Sequence, residues 1–180
     1  MDWRTRDPKT GSERKRIDIA KKELKEAIAA LPKDGIFNII FYSSDFRLWK
    51  KELVPSNADN KREAREWVDQ IQAVGATNIY DPLVKAFQLA GRGTHDKAYK
   101  VELDTIFFLS DGQPNRGRFT NPDDILREIM ELNSRKKVQI HTIAIGGKPI
   151  GAGAGQGGGA DVGFMRQLAE RTGGTFLRYQ

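Results

Sequence analysis

An α/β fold, Rossmann-like and doubly wound, is what this sequence predicts: a mostly parallel sheet with helices on both faces and one antiparallel edge strand. Three observations carry that expectation. Short apolar runs at Ile36–Tyr42, Thr105–Leu109 and Val138–Ile145 are long enough for strands and lack the polar alternation of a half-exposed sheet. Segments with apolar residues at three- and four-residue steps lie between them. The run Thr105–Leu109 stops abruptly at Ser110-Asp111-Gly112, which sets a carboxylate at the end of a central strand. In open α/β sheets the crevice beyond those strand ends is where ligands bind.

Taken in order, residues 1–13 are polar, contain Pro8, Thr10, Gly11 and Ser12, and read as a loop or disordered arm. The remainder, 14–180, suits a single domain. A helix from Arg16 carries Ile17, Ala20, Leu24, Ala27, Ile28 and Leu31 on one face, and Pro32 ends it. The strand Ile36–Tyr42 turns at Ser43-Ser44-Asp45 into a second strand, Phe46–Leu53, whose Lys50, Lys51 and Glu52 suit an edge. Asp59 or Asn60 is placed to cap a helix bearing Ala64, Trp67, Val68 and Ile71. After the loop Gly75–Asp81, Pro82 opens a helix carrying Leu83, Val84, Phe87 and Ala90, and residues 91–102 form a polar connector.

Beyond the Thr105–Leu109 strand, Asn121-Pro122-Asp123-Asp124 is a helix start with acids in the first turn. Ile125, Leu126, Ile129, Met130 and Leu132 give that helix its buried face. Residues 146–159 hold 8 glycines and are expected to be a flexible loop. Asp161 opens a last helix with Val162, Met165, Leu168 and Ala169, Gly173-Gly174 ends it, and Thr175–Tyr179 is the final strand.

Bulk properties exclude several classes. The chain of 180 residues has no apolar run of about 18 residues, and no signal peptide is recognisable at Met1–Asp7. A cytoplasmic location is the default expectation; a secreted or envelope one needs a signal upstream of Met1. The absence of cysteine rules out disulfides and Cys-based zinc sites. A net charge of +6 permits attraction to nucleic acid, but the basic residues alternate with acids, as in Lys21–Glu26, and read as solvated helix faces.

Enzyme signatures are missing. There is no G-x-S-x-G and no P-loop motif, His95 lies in a polar connector, and His141 sits within a strand. Gly153–Gly158 spells G-x-G-x-x-G, but inside a glycine tract several residues past its strand. Asp111 followed by Lys148-Pro149 after the next strand has something of a phosphoacceptor receiver, yet an acidic pair and one strand–helix unit are lacking. Trp49 and Trp67 read as packing residues, Tyr80 and Asp81 as neighbours of Thr77 with Asp81 a helix cap, and Arg116 and Arg118 as the rim of the crevice. Thr77 and Asp111 supply hard oxygen atoms suited to Mg²⁺ or Mn²⁺. Two ligands hold such an ion poorly.

From residue 14 onward the sequence resembles the von Willebrand factor A-type domain. The resemblance rests on Ile39–Ser43, Gly75–Leu83, Phe107–Gly112 and Ile140–Gly146, in that order. It implies a metal-ion-dependent adhesion site at the top of the sheet, with Thr77 and Asp111 at two ligand positions, and binding of a protein partner through an acidic side chain that completes the ion's coordination. The family's Asp-x-Ser-x-Ser motif and the strand preceding it are not found here. The expectation is therefore a chain that starts just after that motif, with its first central strand absent. Metal binding is expected to be weak or nil, and interaction with protein metal-independent or defective. Unpaired backbone groups beside such a gap cost about 1–3 kcal/mol each, set against a net stability of about 5–15 kcal/mol. The alternatives are the receiver-like signalling domain and a basic nucleic-acid-binding domain.

Overall fold

The structure, a computed structural model, describes residues 4–6, 13–72, 75–89, 104–146 and 161–179. The carboxyl-terminal half is built on a three-stranded parallel sheet, β7 (Thr105–Ser110), β8 (Gln139–Ile145) and β9 (Phe176–Tyr179), ordered β7-β8-β9. Register runs Thr105↔Gln139 through Ser110↔Ala144, and Thr142↔Phe176 through Ile145↔Tyr179. Parallel neighbours require crossovers, supplied by α4 (Pro122–Asn133) and α5 (Val162–Thr172). Both helices start where the sequence predicts: Asn121 Oδ1 accepts from Asp123 N and Asp124 N, and Asp161 Oδ1 accepts from Phe164 N. The αL residue Gly173 ends α5.

Helices cover both faces of this sheet, as a doubly wound fold requires. Leu168 and Met165 of α5, Ile125 and Ile129 of α4 and Phe87 of α3 (Tyr80–Leu89) form one cluster with Ile140, Ala144 and Phe108. On the opposite face, Ile19 of α1 (Arg16–Ala30) packs with Ile145 and Tyr179. A separate cluster joins Ile28 of α1 to Ala64 and Val68 of α2 (Ala58–Asp69), with Phe37 and Ile39 beneath.

The amino-terminal strands are shorter than the sequence suggests. Residues 36–42 divide into β3 (Ile36–Phe37) and β4 (Ile40–Tyr42). β4 pairs antiparallel with β5 (Phe46–Leu48), whereas β3 pairs with β6 (Val54–Pro55), where the sequence places a loop from Pro55. Asn38 causes the break. Its amide donates to the Lys50 and Glu52 carbonyls at 2.8 and 2.9 Å and accepts from Lys50 N at 3.1 Å, so a side chain replaces the ladder. Hydropathy does not reveal such a bond.

Three further differences are local. Arg4–Arg6 (β1) pairs antiparallel with Glu13–Lys15 (β2), in part of what the sequence reads as an unstructured arm. Polar composition signals exposure, which does not preclude backbone pairing. Asn57, not Asp59 or Asn60, caps α2, its Oδ1 accepting from Asn60 N at 2.9 Å. Helix α3 starts at Tyr80, ahead of Pro82, because Asn78 and Asp81 hold each other: Asn78 Oδ1 accepts from Asp81 N, and its amide donates to Asp81 Oδ2 at 2.7 Å. The expected glycine loop 146–159 lies outside the described residues beyond Gly146, as does the 91–102 connector.

Candidate functional site

The carboxyl ends of β4 and β7 and the loop Gly75–Ile79 meet at one edge of the sheet. Backbone hydrogen bonds tie them: Asn78 N donates to Ser43 O at 2.8 Å, and Asn115 N and Arg116 N donate to Thr77 O at 3.0 and 3.3 Å. Asn115 Oδ1 accepts from Thr77 N at 2.8 Å, and Asn78 bridges Arg116 in parallel fashion. Ser44 Oγ accepts from Ala76 N at 2.9 Å. The loop is held from both sides before any ligand arrives.

Two glycines make this junction possible. Gly75 (φ 91°) and Gly117 (φ 102°) lie in the left-handed region. A Cβ on Gly75 would stand 2.5 Å from Ser44 Oγ, and one on Gly117 would run into the Asn78 side chain.

The two residues the sequence singles out sit on loops that touch. Asp111 is exposed, and a Cβ on its neighbour Gly112 would stand 2.6 Å from Thr77 Oγ1. Ser110 is buried, and its hydroxyl donates to Gly112 O at 3.0 Å, so it shapes the turn and is not poised as a nucleophile. A residue the sequence does not single out joins them. Arg16, at the start of α1, donates from Nη1 to the Asp111 carbonyl at 3.3 Å. A Cβ on Gly146, at the end of β8, would stand 2.8 Å from the same guanidinium. No local pattern could reveal a contact 95 residues apart in sequence.

Other residues fall outside the site. His141 stacks on Phe107 at 5.1 Å and its Nδ1 lies 2.8 Å from Thr175 Oγ1, a packed position as expected. Trp49 stacks on Phe37, and Trp67 packs on the α1–α2 cluster. Tyr80 is buried edge-on against Phe119 at 4.8 Å, a core role, not that of a neighbour to Thr77. Arg116 is exposed at the rim, and Arg118 lies over the Phe119 ring at 5.5 Å. His95, Lys148 and Gly153–Gly158 lie outside the described residues.

Tyr42 spans from β4 to β7. Its hydroxyl donates to Leu109 O at 2.6 Å and its ring stacks on Phe108. The residue is only partly buried, but its phenol oxygen is enclosed, and burial first, then the Asp111 charge, pushes its pKa well above the usual tyrosine value of 10.0. The unfolded chain loses this proton first as pH rises, so stability is full below pH about 10 and declines above it. Tyr42→Phe is expected to cost about 1–2 kcal/mol near neutral pH and to flatten the alkaline decline. Urea unfolding at several pH values between neutrality and about 11, for both proteins, checks both effects.

The described residues do not fit a tightly held divalent ion. Among them no group of three or more His, Cys, Asp or Glu side chains is close enough to ligate one. Thr77 and Asp111 offer one hydroxyl and one carboxylate, and the Arg16 cation lies against the Asp111 carbonyl. Like charge beside a cation site opposes binding.

Fold and edge together define an α/β domain with its junction of loops at the carboxyl ends of the strands. The chain belongs to the von Willebrand factor type A domain family, whose model matches residues 10–177. It is 31% identical over 140 residues to human von Willebrand factor A domain-containing protein 3A, covering 78% of this chain and 10% of that protein. It is 31% identical over 162 residues to bovine inter-alpha-trypsin inhibitor heavy chain H4, covering 87% of this chain and 16% of that one. The chain thus spans a small part of these relatives' length. Among solved structures, a von Willebrand factor type A protein from Catenulispora acidiphila superposes with a TM-score of 0.70 at 17% identity, over 91% of this chain and 34% of that one. BatB from Bacteroides thetaiotaomicron gives 0.58 at 14%, over 91% and 80%. At such identities these two structures support the fold alone.

Proposed function

We propose that this domain is a protein–protein interaction module, not an enzyme, and that it binds through the loop edge formed by Thr77, Asp111, Arg116 and the amino end of α1. Thr77 and Asp111 are a remnant of the family's metal site, and recognition does not depend on a tightly held ion. The observation that carries this reading is the Arg16 guanidinium at the Asp111 carbonyl, a fixed cation where the chain offers one carboxylate and one hydroxyl. The exposed Arg116 favours an acidic side chain on the partner, with the charge-assisted hydrogen bonds that a guanidinium gives to a carboxylate.

The absence of a nucleophile–base pair at this edge, among the described residues, supports binding over catalysis: Ser110 is turned into its own loop and His141 is engaged with Thr175. Among the described residues no helix is long and apolar enough to cross a membrane.

Selection from a displayed random-peptide library tests the reading. Enriched peptides are expected to carry Asp or Glu, to bind equally with Mg²⁺ or a chelator, and to lose binding to Arg116→Glu. Neutral or basic binders unaffected by that substitution would contradict it. A steep loss of binding with salt, together with retention of single-stranded or duplex DNA, would favour nucleic acid instead.

A further inference from the structure

Asp111 and Arg116 carry opposite charges on one short loop, yet they do not meet. Both are exposed. Among the described residues no ion pair or hydrogen bond engages the Asp111 carboxylate or the Arg116 guanidinium; the Arg16 contact is to the Asp111 carbonyl. Elsewhere on this domain opposite charges close in sequence do find each other. Arg62 lies 2.8 Å from Asp59, and Arg127 lies 2.9 Å from Asp124. Five residue steps span at most about 17 Å when fully extended, and a turning loop brings its ends nearer than that. Chain length alone does not keep the two side chains apart.

The residue next to Arg116 does. Asn115 N donates to Thr77 O at 3.0 Å, and Asn115 Oδ1 accepts from Thr77 N at 2.8 Å. One residue thus grips both backbone polar groups of Thr77. A single bond leaves a loop able to pivot, whereas two bonds running in opposite senses fix its orientation. Arg116 N adds a third bond to the Thr77 carbonyl at 3.3 Å. The base of this clamp is itself anchored, because Asn78 N donates to Ser43 O and Ala76 N to Ser44 Oγ. At the other end of the loop the Ser110 hydroxyl, bonded to Gly112 O, holds the turn that carries Asp111. Asn115 is exposed and belongs to no hydrophobic cluster.

We propose that Asn115 is a positioning residue of the recognition edge: its paired bonds to Thr77 hold Arg116 away from Asp111 and keep the guanidinium available to a partner's carboxylate. This inference rests on the reading of Arg116 as the contact for an acidic partner. Without the clamp the loop closes on its own ion pair, and an incoming carboxylate has to displace Asp111 to reach Arg116. The side-chain oxygen of Asn115 is already taken by Thr77 N, so Asn115 acts through Arg116. Alanine at this position leaves the backbone bonds in place but removes the acceptor that stops the pivot.

The test is a double-mutant cycle, with a fluorescein-labelled hexa-aspartate peptide as the probe and anisotropy read at fixed salt in the presence of a chelator. Arg116→Gln and Asn115→Ala are each expected to weaken binding at least about fivefold, the effect of one lost hydrogen bond. In the Asp111→Asn background the further loss caused by Asn115→Ala is expected to shrink below about twofold, because no carboxylate remains to capture Arg116. A merely structural role for Asn115 would not be repaired by Asp111→Asn. Hydrogen exchange at Thr77 N is expected to quicken in Asn115→Ala. Equal binding by the parent protein and Asn115→Ala would overturn the proposal, as would a loss that persists in full in the Asp111→Asn background. Arg116→Gln binding as tightly as the parent, or no binding by the parent, would overturn the reading of the edge and the proposal with it.

Discussion

Replacing Gly174 with alanine is expected to lower the free energy of unfolding by about 3 kcal/mol, the upper end of what overpacking costs. A Cβ at this position would lie 2.5 Å from the Ile140 carbonyl carbon, closer still to its oxygen, and 3.0 Å from His141 N. All three are backbone atoms of β8, so no rotamer change relieves the clash. The turn from α5 into β9 would have to lift off the sheet, and the bond from Thr142 N to Thr175 O at 2.9 Å lies next to it. Against a net stability of about 5–15 kcal/mol the loss is large. Gly163 serves as the internal control. Its added Cβ would meet only Asp161 Oδ1, at 3.5 Å, inside α5. There Gly→Ala is expected to be neutral or to stabilise by up to about 1 kcal/mol. Urea unfolding of both variants checks the contrast; similar midpoints for the two would contradict the described close approach.

Asn133→Ala is expected to cost about 2–4 kcal/mol, from two orphaned backbone groups. The Asn133 amide donates to Val138 O and accepts from Val138 N, both at 2.8 Å, and the site is buried. Those bonds close the turn from α4 into β8, where Lys137 takes a positive φ of 53°. Alanine supplies neither partner. Urea unfolding gives the magnitude, and hydrogen exchange should show faster opening at Val138 than in the parent protein. A change below about 0.5 kcal/mol, the level of an ordinary surface substitution, would mean that water substitutes for the side chain.

The contrast between these residues and the helix starts indicates what is legible in the sequence. Asn121 and Asp161 act on backbone groups two or three residues away, so their capping roles can be read locally, and both are borne out. The strand β7 and the break at Ser110-Asp111-Gly112 are likewise visible as an apolar run and its end. Asn38 and Asn133 look like ordinary polar residues in sequence, yet one divides a strand and the other closes a turn. Their partners lie 5 to 14 residues away, beyond the reach of pattern and within reach of a side chain.

The site divides the same way. The end of β7 is legible as the carboxyl end of a strand, whereas the Thr77 loop joins α2 to α3 and reaches that edge through its bonds to Ser43, Asn115 and Arg116. Arg16 does not follow from anything near it. Its position depends on how α1 lies across β8, a matter of Ile19 packing with Ile145 and Tyr179. Tyr42 is similar: its sequence context reads as a strand residue, and only the spacing between β4 and β7 turns its hydroxyl into a bridge.

Calorimetric titration of Mg²⁺ into the domain tests the central claim, a recognition edge that works without a tightly held ion. A Kd weaker than about 1 mM is expected, with a melting temperature that does not rise in about 5 mM Mg²⁺, as linkage requires for an ion that hardly binds. A micromolar Kd that disappears in both Thr77→Ala and Asp111→Ala would contradict it, and would make those two residues members of a complete metal site.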